Sequence, residues 1–316
     1  MKKIILVSIA LLMGLSSFAV SVGYAVWVWT PETGKWINPE YAVKANPGEQ
    51  FSQAEALFQK GKYKKAIGEY RKLIKYYSGS LYAPRAQYAI GASYEALGEY
   101  KRAAEEYQKV IAKYPSSNKV VDVVKSEYRL GNLLFKEHIK SKLKRVFVES
   151  NYEKAAKVYQ LVVKNAPYGK IAAEVQYRIG LSYRKDGNYA EAASAYRKVI
   201  ENYPNSPWVE KAYYEIGLSY LSQSLPPPYD QTMADSALKQ FEKFLKRFPG
   251  SGLTSKVKEK IKLLRGRKAE KLYQIAAFYD KQGSIKAAEI YYREVVKKYL
   301  GSDWATFSRE RLRALE

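Results

Sequence analysis

The side chains that could do chemistry in this chain are tyrosines and cations, because the residues that most catalytic sites need are missing. The 316 residues contain no cysteine and one histidine, His138. Disulfides, thiol nucleophiles, thiolate zinc sites and catalytic units built on several imidazoles are therefore excluded. The sequence also has no phosphate-binding loop, nucleophile elbow or His-Glu zinc helix. We expect no enzyme, metal, cofactor or small-molecule substrate, and interpret His138 as a surface residue.

Tyrosine and positive charge point to binding instead. The chain has 30 tyrosines against 10 phenylalanines and 5 tryptophans. Its 54 Lys and Arg residues exceed 31 Asp and Glu residues, which gives a net charge of +23. A strongly basic chain favours acidic partners, an anionic surface or nucleic acid. Because 47% of the residues are hydrophobic, the chain can also bury a core.

The N-terminus predicts export. Lys2 and Lys3 precede an uncharged run from Ile4 to Trp29, the pattern of a secretory signal with small residues for cleavage. An uncleaved anchor stays open, since the run exceeds the roughly 18 residues that span a bilayer. We therefore assign residues 1–25 to a signal peptide or N-terminal anchor and the rest to the periplasm. Export removes nucleic acid as a partner, and the lack of cysteine excludes a lipid-modified N-terminus.

Residues 26–46 are rich in tryptophan. Aromatic and β-branched residues alternate around Pro31-Glu32-Thr33-Gly34, which predicts a small hairpin or an extended arm. Two interpretations stay open: the segment packs on the rest of the fold, or it is a docking element.

A two-helix pattern then recurs six times, and three of its positions repeat most strictly. Position 8 is small, position 20 is alanine and position 24 is a large aromatic residue, so that two antiparallel helices can approach closely. The small residues at position 8 are Ala54, Gly91, Gly131, Gly180, Gly217 and Ala276. The alanines at position 20 are Ala66, Ala103, Ala155, Ala192, Ala237 and Ala288. The aromatic residues at position 24 are Tyr70, Tyr107, Tyr159, Tyr196, Phe241 and Tyr292.

These constraints are typical of tetratricopeptide repeats (TPRs). They predict an all-α fold, a right-handed TPR superhelix, or α-solenoid, of about six helical hairpins. Repeats 1 to 5 occupy residues 47–251. Residues 252–316 hold a long helix, repeat 6 and a C-terminal capping helix at about Asp303–Leu315.

Three departures interrupt the repeat. About 12 extra residues, many of them lysine, separate Leu134 from Tyr152 and are expected to extend from the solenoid. A polyproline piece, Pro226-Pro227-Pro228, lengthens the turn of the fifth unit. An added helix, Leu253 to Arg267, is expected to continue into the sixth unit as one long helix.

The linkers of Tyr-Pro-x-Ser type, the loop-extended hairpin and the long helix from Leu263 to Ala269 resemble the BamD family of outer-membrane β-barrel assembly proteins. The turn Tyr279-Asp280-Lys281-Gln282-Gly283 belongs to the same resemblance. It covers about residues 45–315. The family has about five repeats and a lipidated cysteine, whereas this chain has six units and no cysteine. A similar role would need the N-terminal anchor or a bound partner for membrane attachment.

The resemblance implies two binding surfaces. N-terminal repeats of the family form a concave pocket for unfolded barrel segments, and C-terminal repeats hold the barrel-forming subunit. Position 5 of each first helix is expected to point to the concave face, and its residues are Phe51, Tyr88, Tyr128, Tyr177, Tyr214 and Tyr273. Cations on the same face, able to receive a carboxylate or an acidic segment, are Arg85, Lys125, Arg184, Lys185 and Lys211. The alternative interpretation is that the rings only pack and the cations are solvated.

In the sixth unit, Tyr291 and Arg293 fall where the family contacts its barrel partner. The hypothesis that follows is a non-catalytic scaffold that binds a barrel-assembly subunit and unfolded outer-membrane protein segments. It would associate with the outer membrane through partners, or with the inner membrane through its anchor. The alternative is a periplasmic coordinator of peptidoglycan or Tol-Pal machinery, which would bind an anionic envelope surface.

Overall fold

The computed structural model describes residues 28–30, 35–37, 42–137, 150–226 and 229–315. These ranges hold two strands, β1 (Val28–Thr30) and β2 (Lys35–Ile37). They also hold thirteen helices: α1 (Pro47–Gln59), α2 (Tyr63–Tyr76), α3 (Ala83–Ala96), α4 (Tyr100–Lys113), α5 (Lys119–Glu137), α6 (Asn151–Asn165), α7 (Ala172–Asp186), α8 (Tyr189–Asn202), α9 (Trp208–Gln223), α10 (Thr232–Arg247), α11 (Thr254–Lys281), α12 (Ile285–Lys298) and α13 (Asp303–Leu315). The predicted export segment, residues 1–25, and most of the basic insertion, residues 138–149, lie outside the described residues.

The helices form consecutive antiparallel hairpins, which confirms the predicted all-α solenoid. Units 1 to 5 are the pairs α1/α2, α3/α4, α5/α6, α7/α8 and α9/α10. Unit 6 combines the second half of α11 with α12, and α13 packs on both of its helices. Ahead of the helices, β1 and β2 pair antiparallel with Trp29 opposite Trp36.

Each hairpin is closed by the aromatic ring at position 24. These rings are fully buried or nearly so in all six units, and the position-20 alanines beside them are completely buried. In unit 4 the ring of Tyr196 lies on the backbone of α7, where a Cβ atom added to Gly180 would stand 2.6 Å from the ring. Such a distance is too short for any side chain. A small residue at position 8 is therefore what lets the two helices approach.

A tight turn joins the two helices of a unit. Gly187, after α7, has φ of 89°, in the left-handed region that glycine enters without steric cost. Its backbone N–H donates to the carbonyl of Arg184, and that of Asn188 to the carbonyl of Tyr183. These bonds satisfy carbonyl groups that the helix end leaves free. Gly61, Gly98 and Gly283 adopt the same conformation.

The long helix α11 belongs to two units at once. Its first half buries Val257, Ile261 and Leu264 against Phe241 and Phe244 of α10. Its second half buries Ala269 and Ala276 among residues of α12 and α13. Unit 6 therefore begins as the continuation of a helix that covers unit 5. None of the helices in the described ranges has the length and apolar character that a membrane crossing requires.

The close contact at position 8 predicts opposite effects for two glycine substitutions. Gly180→Ala should destabilise the fold by about 1–3 kcal/mol, because its methyl group overlaps Tyr196. Gly68→Ala, in the exposed middle of α2 with open space around it, should stabilise by roughly 0.5–1 kcal/mol through helix propensity. Chemical unfolding of both variants measures this. Equal shifts in the same direction would contradict the packing argument.

Candidate protein-binding surfaces

The position-5 rings form pairs with the position-24 rings of their own units. The ring centroids are 5.2–6.4 Å apart in the six pairs Phe51–Tyr70, Tyr88–Tyr107, Tyr128–Tyr159, Tyr177–Tyr196, Tyr214–Phe241 and Tyr273–Tyr292. Tilted pairs at this spacing stabilise beyond the area that they bury. The structure thus places all six predicted rings along one line of units, which we call the aromatic ribbon.

The next unit covers several rings of the aromatic ribbon. Trp208, at the start of α9, lies 4.8 Å from Tyr177 of the preceding unit. Tyr82 covers Phe51 at 5.5 Å and Trp304 covers Tyr273 at 5.1 Å. Phe51 and Tyr177 are consequently buried, whereas the other four rings are half-buried. The ribbon is therefore a packed interface between units in which four rings keep part of their surface in solvent, and not an open aromatic groove.

Tyrosine hydroxyl groups of the ribbon reach the following unit, which accounts for part of the unusual tyrosine content. Three of them lie at hydrogen-bond distance from a side chain of the next first helix: Tyr88 from Ser126 at 2.8 Å, Tyr128 donating to Glu174 at 2.8 Å and Tyr177 donating to Glu215 at 3.4 Å. A phenol can stack on one unit and bond to another at the same time.

The predicted cations divide into three groups. The guanidinium of Arg85 lies over the rings of Phe51 and Tyr82, at 4.5 and 5.3 Å from the ring centres. Lys211 lies 4.7 Å over the ring of Trp208. Cations over aromatic faces gain cation–π energy while staying solvated. Arg184, in contrast, is committed to an ion pair, and Lys125 and Lys185 are exposed.

Arg184 belongs to a set of interfacial ion pairs that the sequence interpretation missed. Each joins position 12 of one unit to the next unit or to the capping helix: Glu95 to Arg129 at 2.9 Å, Arg184 to Glu215 at 2.7 Å and Asp280 to Arg311 at 2.7 Å. Opposite charges at positions 12 and 6 of successive units were a detectable signal. The hydroxyls of Tyr107 and Tyr292 donate to two of these carboxylates. Burial raises the pKa of Tyr292 to about 12, so the phenol stays protonated.

A second candidate surface lies on unit 6. In units 2 and 4 the equivalent face contacts the preceding unit. In units 2 and 4 the position-11 tyrosines, Tyr94 and Tyr183, accept hydrogen bonds from the second helix of the unit before them. In unit 6 the equivalent Tyr279 stacks flat on Tyr291, with centroids 5.6 Å apart and planes 2° from parallel.

Large apolar side chains flank this stacked pair and stay in solvent. Phe278, whose ring contacts Tyr279 at 5.7 Å, is 60% exposed, and Ile290 beside Tyr291 is 65% exposed. We call Phe278, Tyr279, Ile290 and Tyr291 the unit-6 patch. The predicted Tyr291 lies in it. Arg293 is exposed and pairs with Glu289 at 3.6 Å. Exposed clusters of large apolar residues mark interaction surfaces; the sequence interpretation named only Tyr291 of the four.

Unit 3 contains a buried carboxylate with amide partners. Glu127 is fully buried and accepts hydrogen bonds from Gln108 at 2.5 Å and Asn165 at 3.0 Å. Burial raises its pKa to about 7, against the two hydrogen bonds, which lower it. Units 1, 2 and 4 have a glutamine at this position, Gln50, Gln87 and Gln176, each donating to a backbone carbonyl of its own unit.

Across the described part of the chain, no cluster of three or more His, Asp and Glu side chains could hold a metal ion. His138 lies outside the described residues.

Comparison with known families decides the class of this scaffold. The family model YfiO, described as an outer membrane lipoprotein, matches residues 135–314, more than half of the chain. The chain belongs to this family. The match confirms the resemblance to BamD-like TPR proteins and covers most of units 3 to 6 with the capping helix. A second model, a tetratricopeptide repeat, matches residues 51–118 in units 1 and 2. The chain is thus a TPR protein-interaction scaffold of this family.

A comparison with curated proteins gives no match. Solved structures similar to this chain include MamA (residue 41 to the end) from Desulfovibrio magneticus RS-1, with 21% identity, 66% of this chain and all of that chain covered, and a TM-score of 0.31. A thermophilic TPR protein from Thermus thermophilus has 16% identity, with 68% and 99% covered and a TM-score of 0.34. The TPR2AB domain of yeast Sti1, in its pHSP90 complex, has 18% identity, with 69% and 84% covered and a TM-score of 0.30. TM-scores this low support no inference about this chain.

The hydrogen bonds of the ribbon's tyrosine hydroxyls predict unequal effects on stability for two tyrosine substitutions. Tyr128→Phe should cost about 1 kcal/mol of unfolding free energy, because the bond to Glu174 is lost. Tyr214→Phe should leave stability unchanged, since the described residues offer its hydroxyl no hydrogen bond. Urea unfolding compares the two. A neutral Tyr128→Phe variant would show that the ribbon does not couple its units through phenols.

The raised pKa of Glu127 predicts that the folded protein loses stability as the pH rises. Its pKa is raised in the folded state from the ordinary 4.5 to about 7, so the folded protein holds a proton that the unfolded chain releases. Stability should fall between pH 4.5 and 7, by roughly 3 kcal/mol in total, and level off above. Glu127→Gln should remove this slope and be the more stable protein at pH 8. The exposed Glu201→Gln serves as control; unchanged slopes in both variants would refute the assignment.

Proposed function

We propose that this protein is a non-catalytic scaffold of the bacterial cell envelope that takes part in the assembly of outer-membrane β-barrel proteins. It holds a folded partner, the periplasmic part of a barrel-forming subunit, on the unit-6 patch. Extended segments of unfolded barrel proteins bind along its concave face. Membership of an outer membrane lipoprotein family supports the envelope location. Because this sequence has no cysteine, attachment runs through a partner or the N-terminal segment.

The observation that carries the proposal is the unit-6 patch. Large apolar side chains that are exposed to solvent cost free energy. A cluster of them on a protein surface therefore marks a site that a partner buries. The stacked tyrosines present a flat, rigid surface, and rigid aromatic residues dominate the energy of many protein interfaces. Phe278 and Ile290 are the most exposed large apolar side chains next to this pair. A partner bound here would remove both from water. The patch lies within the family match.

The concave face offers a different chemistry. The four half-buried rings of the aromatic ribbon and the exposed cations Arg85, Lys125, Lys185 and Lys211 are available to an extended chain. Aromatic rings supply apolar contact, and ammonium or guanidinium groups receive a terminal carboxylate or an acidic side chain. The faces of the ribbon rings pack against other rings within and between units. We therefore assign peptide selectivity to the cations and expect the rings to contribute less to peptide binding.

Native purification of variants tests the assignment of the patch. Phe278→Ser with Ile290→Ser should reduce co-purification of a barrel-assembly subunit at least tenfold, because the exposed apolar contacts are lost. The melting temperature should change little, since both side chains are already in solvent. Leu225→Ser with Tyr229→Ser, a similarly exposed pair in unit 5, is the matched control.

Two results would argue against the proposal. Retention of the subunit by the double variant would move its site elsewhere. Enrichment of peptidoglycan enzymes, with no barrel-assembly subunit in the wild-type sample, would favour the envelope coordinator instead.

A further inference from the structure

Large apolar side chains protrude into solvent at or next to the first three linkers between units. Leu81, in the linker before α3, is 89% exposed, and Tyr168, in the linker before α7, is 98% exposed. Val121, in the first turn of α5, is 59% exposed. The residues that align with Tyr168 in the linkers after units 4 and 5 are Asn205 and Gly250. The three residues lie on the edge where linkers join second helices to first helices; on the same edge at the other end of the solenoid, Leu300, after α12, is 65% exposed.

Exposed lysines stand beside these tips. Lys75, Lys113 and Lys164 lie in the last turns of α2, α4 and α6, immediately before the three linkers. Within the described ranges no carboxylate lies within ion-pair distance of any of the three. A helix C-terminus favours a lysine, but it gives no reason for leucine, valine and tyrosine to protrude next to it. We call these six residues the basic rim.

Acidic side chains near the basic rim are already engaged within the protein. Asp122 pairs with Lys119 at 2.7 Å. Glu69 and Glu106 pair with Lys72 and Lys109. The charge that the rim presents to solvent is therefore positive and uncompensated.

The linkers are tight and hold their tips outward. The backbone N–H of Ser80 donates to Tyr77 at 3.0 Å, and the N–H of Gly169 to Ala166 at 3.1 Å. A cleft of about 800 Å³ lies between the first two linkers and is lined by Leu81, Arg85 and Lys113 among others. A phosphate group entering it would meet two cations next to an apolar side chain.

We propose that the basic rim binds an anionic phospholipid surface, with Leu81, Val121 and Tyr168 entering the interface and the lysines contacting headgroup phosphates. Apolar tips with adjacent lysines are the combination by which peripheral proteins lie on membranes. A peptide bound in the cleft would contact only Leu81 of the three apolar residues, whereas a bilayer surface can receive all three. The inference does not depend on the barrel-assembly role, because neither the unit-6 patch nor the aromatic ribbon contributes to the rim.

The lack of cysteine provides a site-specific test with the full chain. Leu81→Cys and Tyr168→Cys each carry one polarity-sensitive dye, and vesicles of phosphatidylcholine are compared with vesicles containing phosphatidylglycerol. The emission should shift to the blue only with the anionic vesicles, and the shift should weaken as salt is raised. A dye at Lys101→Cys, on the opposite edge, should not respond. Residues 1–25 are the same in all three variants, so membrane binding by that segment cannot produce the difference.

Charge reversal provides the second measurement. Lys75→Glu, Lys113→Glu and Lys164→Glu together should weaken sedimentation with anionic vesicles about tenfold or more. The control reverses Lys62, Lys64 and Lys101, also exposed and outside the basic rim, and should retain most binding; circular dichroism verifies that both triples fold.

Three results would overturn the proposal. Equal weakening by both triples would mean that only net charge acts. Equal dye shifts with neutral vesicles would remove the role of the lysines. A dye shift caused by an acidic peptide but by neither type of vesicle would make the rim a protein-binding site.

Discussion

An aromatic ring pressed against a helix backbone is the contact on which this solenoid depends. At position 24 a buried ring fills the space between the two helices of a unit, and the facing residue at position 8 has no more than a methyl group. In units 2 to 5 that residue is glycine, and a Cβ there would overlap the ring. In units 1 and 6 a buried alanine takes this position, and the position-24 ring is again buried. Because a solenoid has no central core, its stability is a sum of such local contacts and of the contacts between neighbours.

Coupling between neighbours uses a second set of rings and charges. Position-5 rings pack on the position-24 rings, and some are also covered by the start of the next unit, as Trp208 covers Tyr177. Ion pairs such as Arg184–Glu215 join successive first helices. The side chains that the sequence predicts to line a ligand groove thus bury much of their surface in contacts within and between units. The proposed binding uses the groups that this packing leaves exposed: parts of four rings, the exposed cations and the unit-6 patch.

The two ends of the solenoid differ in what they leave exposed. Unit 6 begins within the continuous helix α11, and large apolar residues stay in solvent next to Tyr279 and Tyr291 in the sequence. At the first three linkers, protruding apolar tips stand beside unpaired lysines. A scaffold with chemically distinct surfaces at its two ends can hold different classes of partner at once, because the packed units between them keep the surfaces apart.

The sequence by itself determined the class of fold, the six units and the rings that close them, because a repeated contact between position 8 and position 24 leaves a repeated pattern of residue types. The family resemblance rested on other local features: the linkers, the loop-extended hairpin, the long helix and the turn that follows it. Only the tertiary structure decided which rings are covered, as Tyr177 is by Trp208, and which remain open, as Phe278 does. It also decided that Arg184 is bound to Glu215 while Lys185 faces solvent. Exposure and pairing depend on how one unit is placed on the next, and a pattern within a single unit holds no information about that placement.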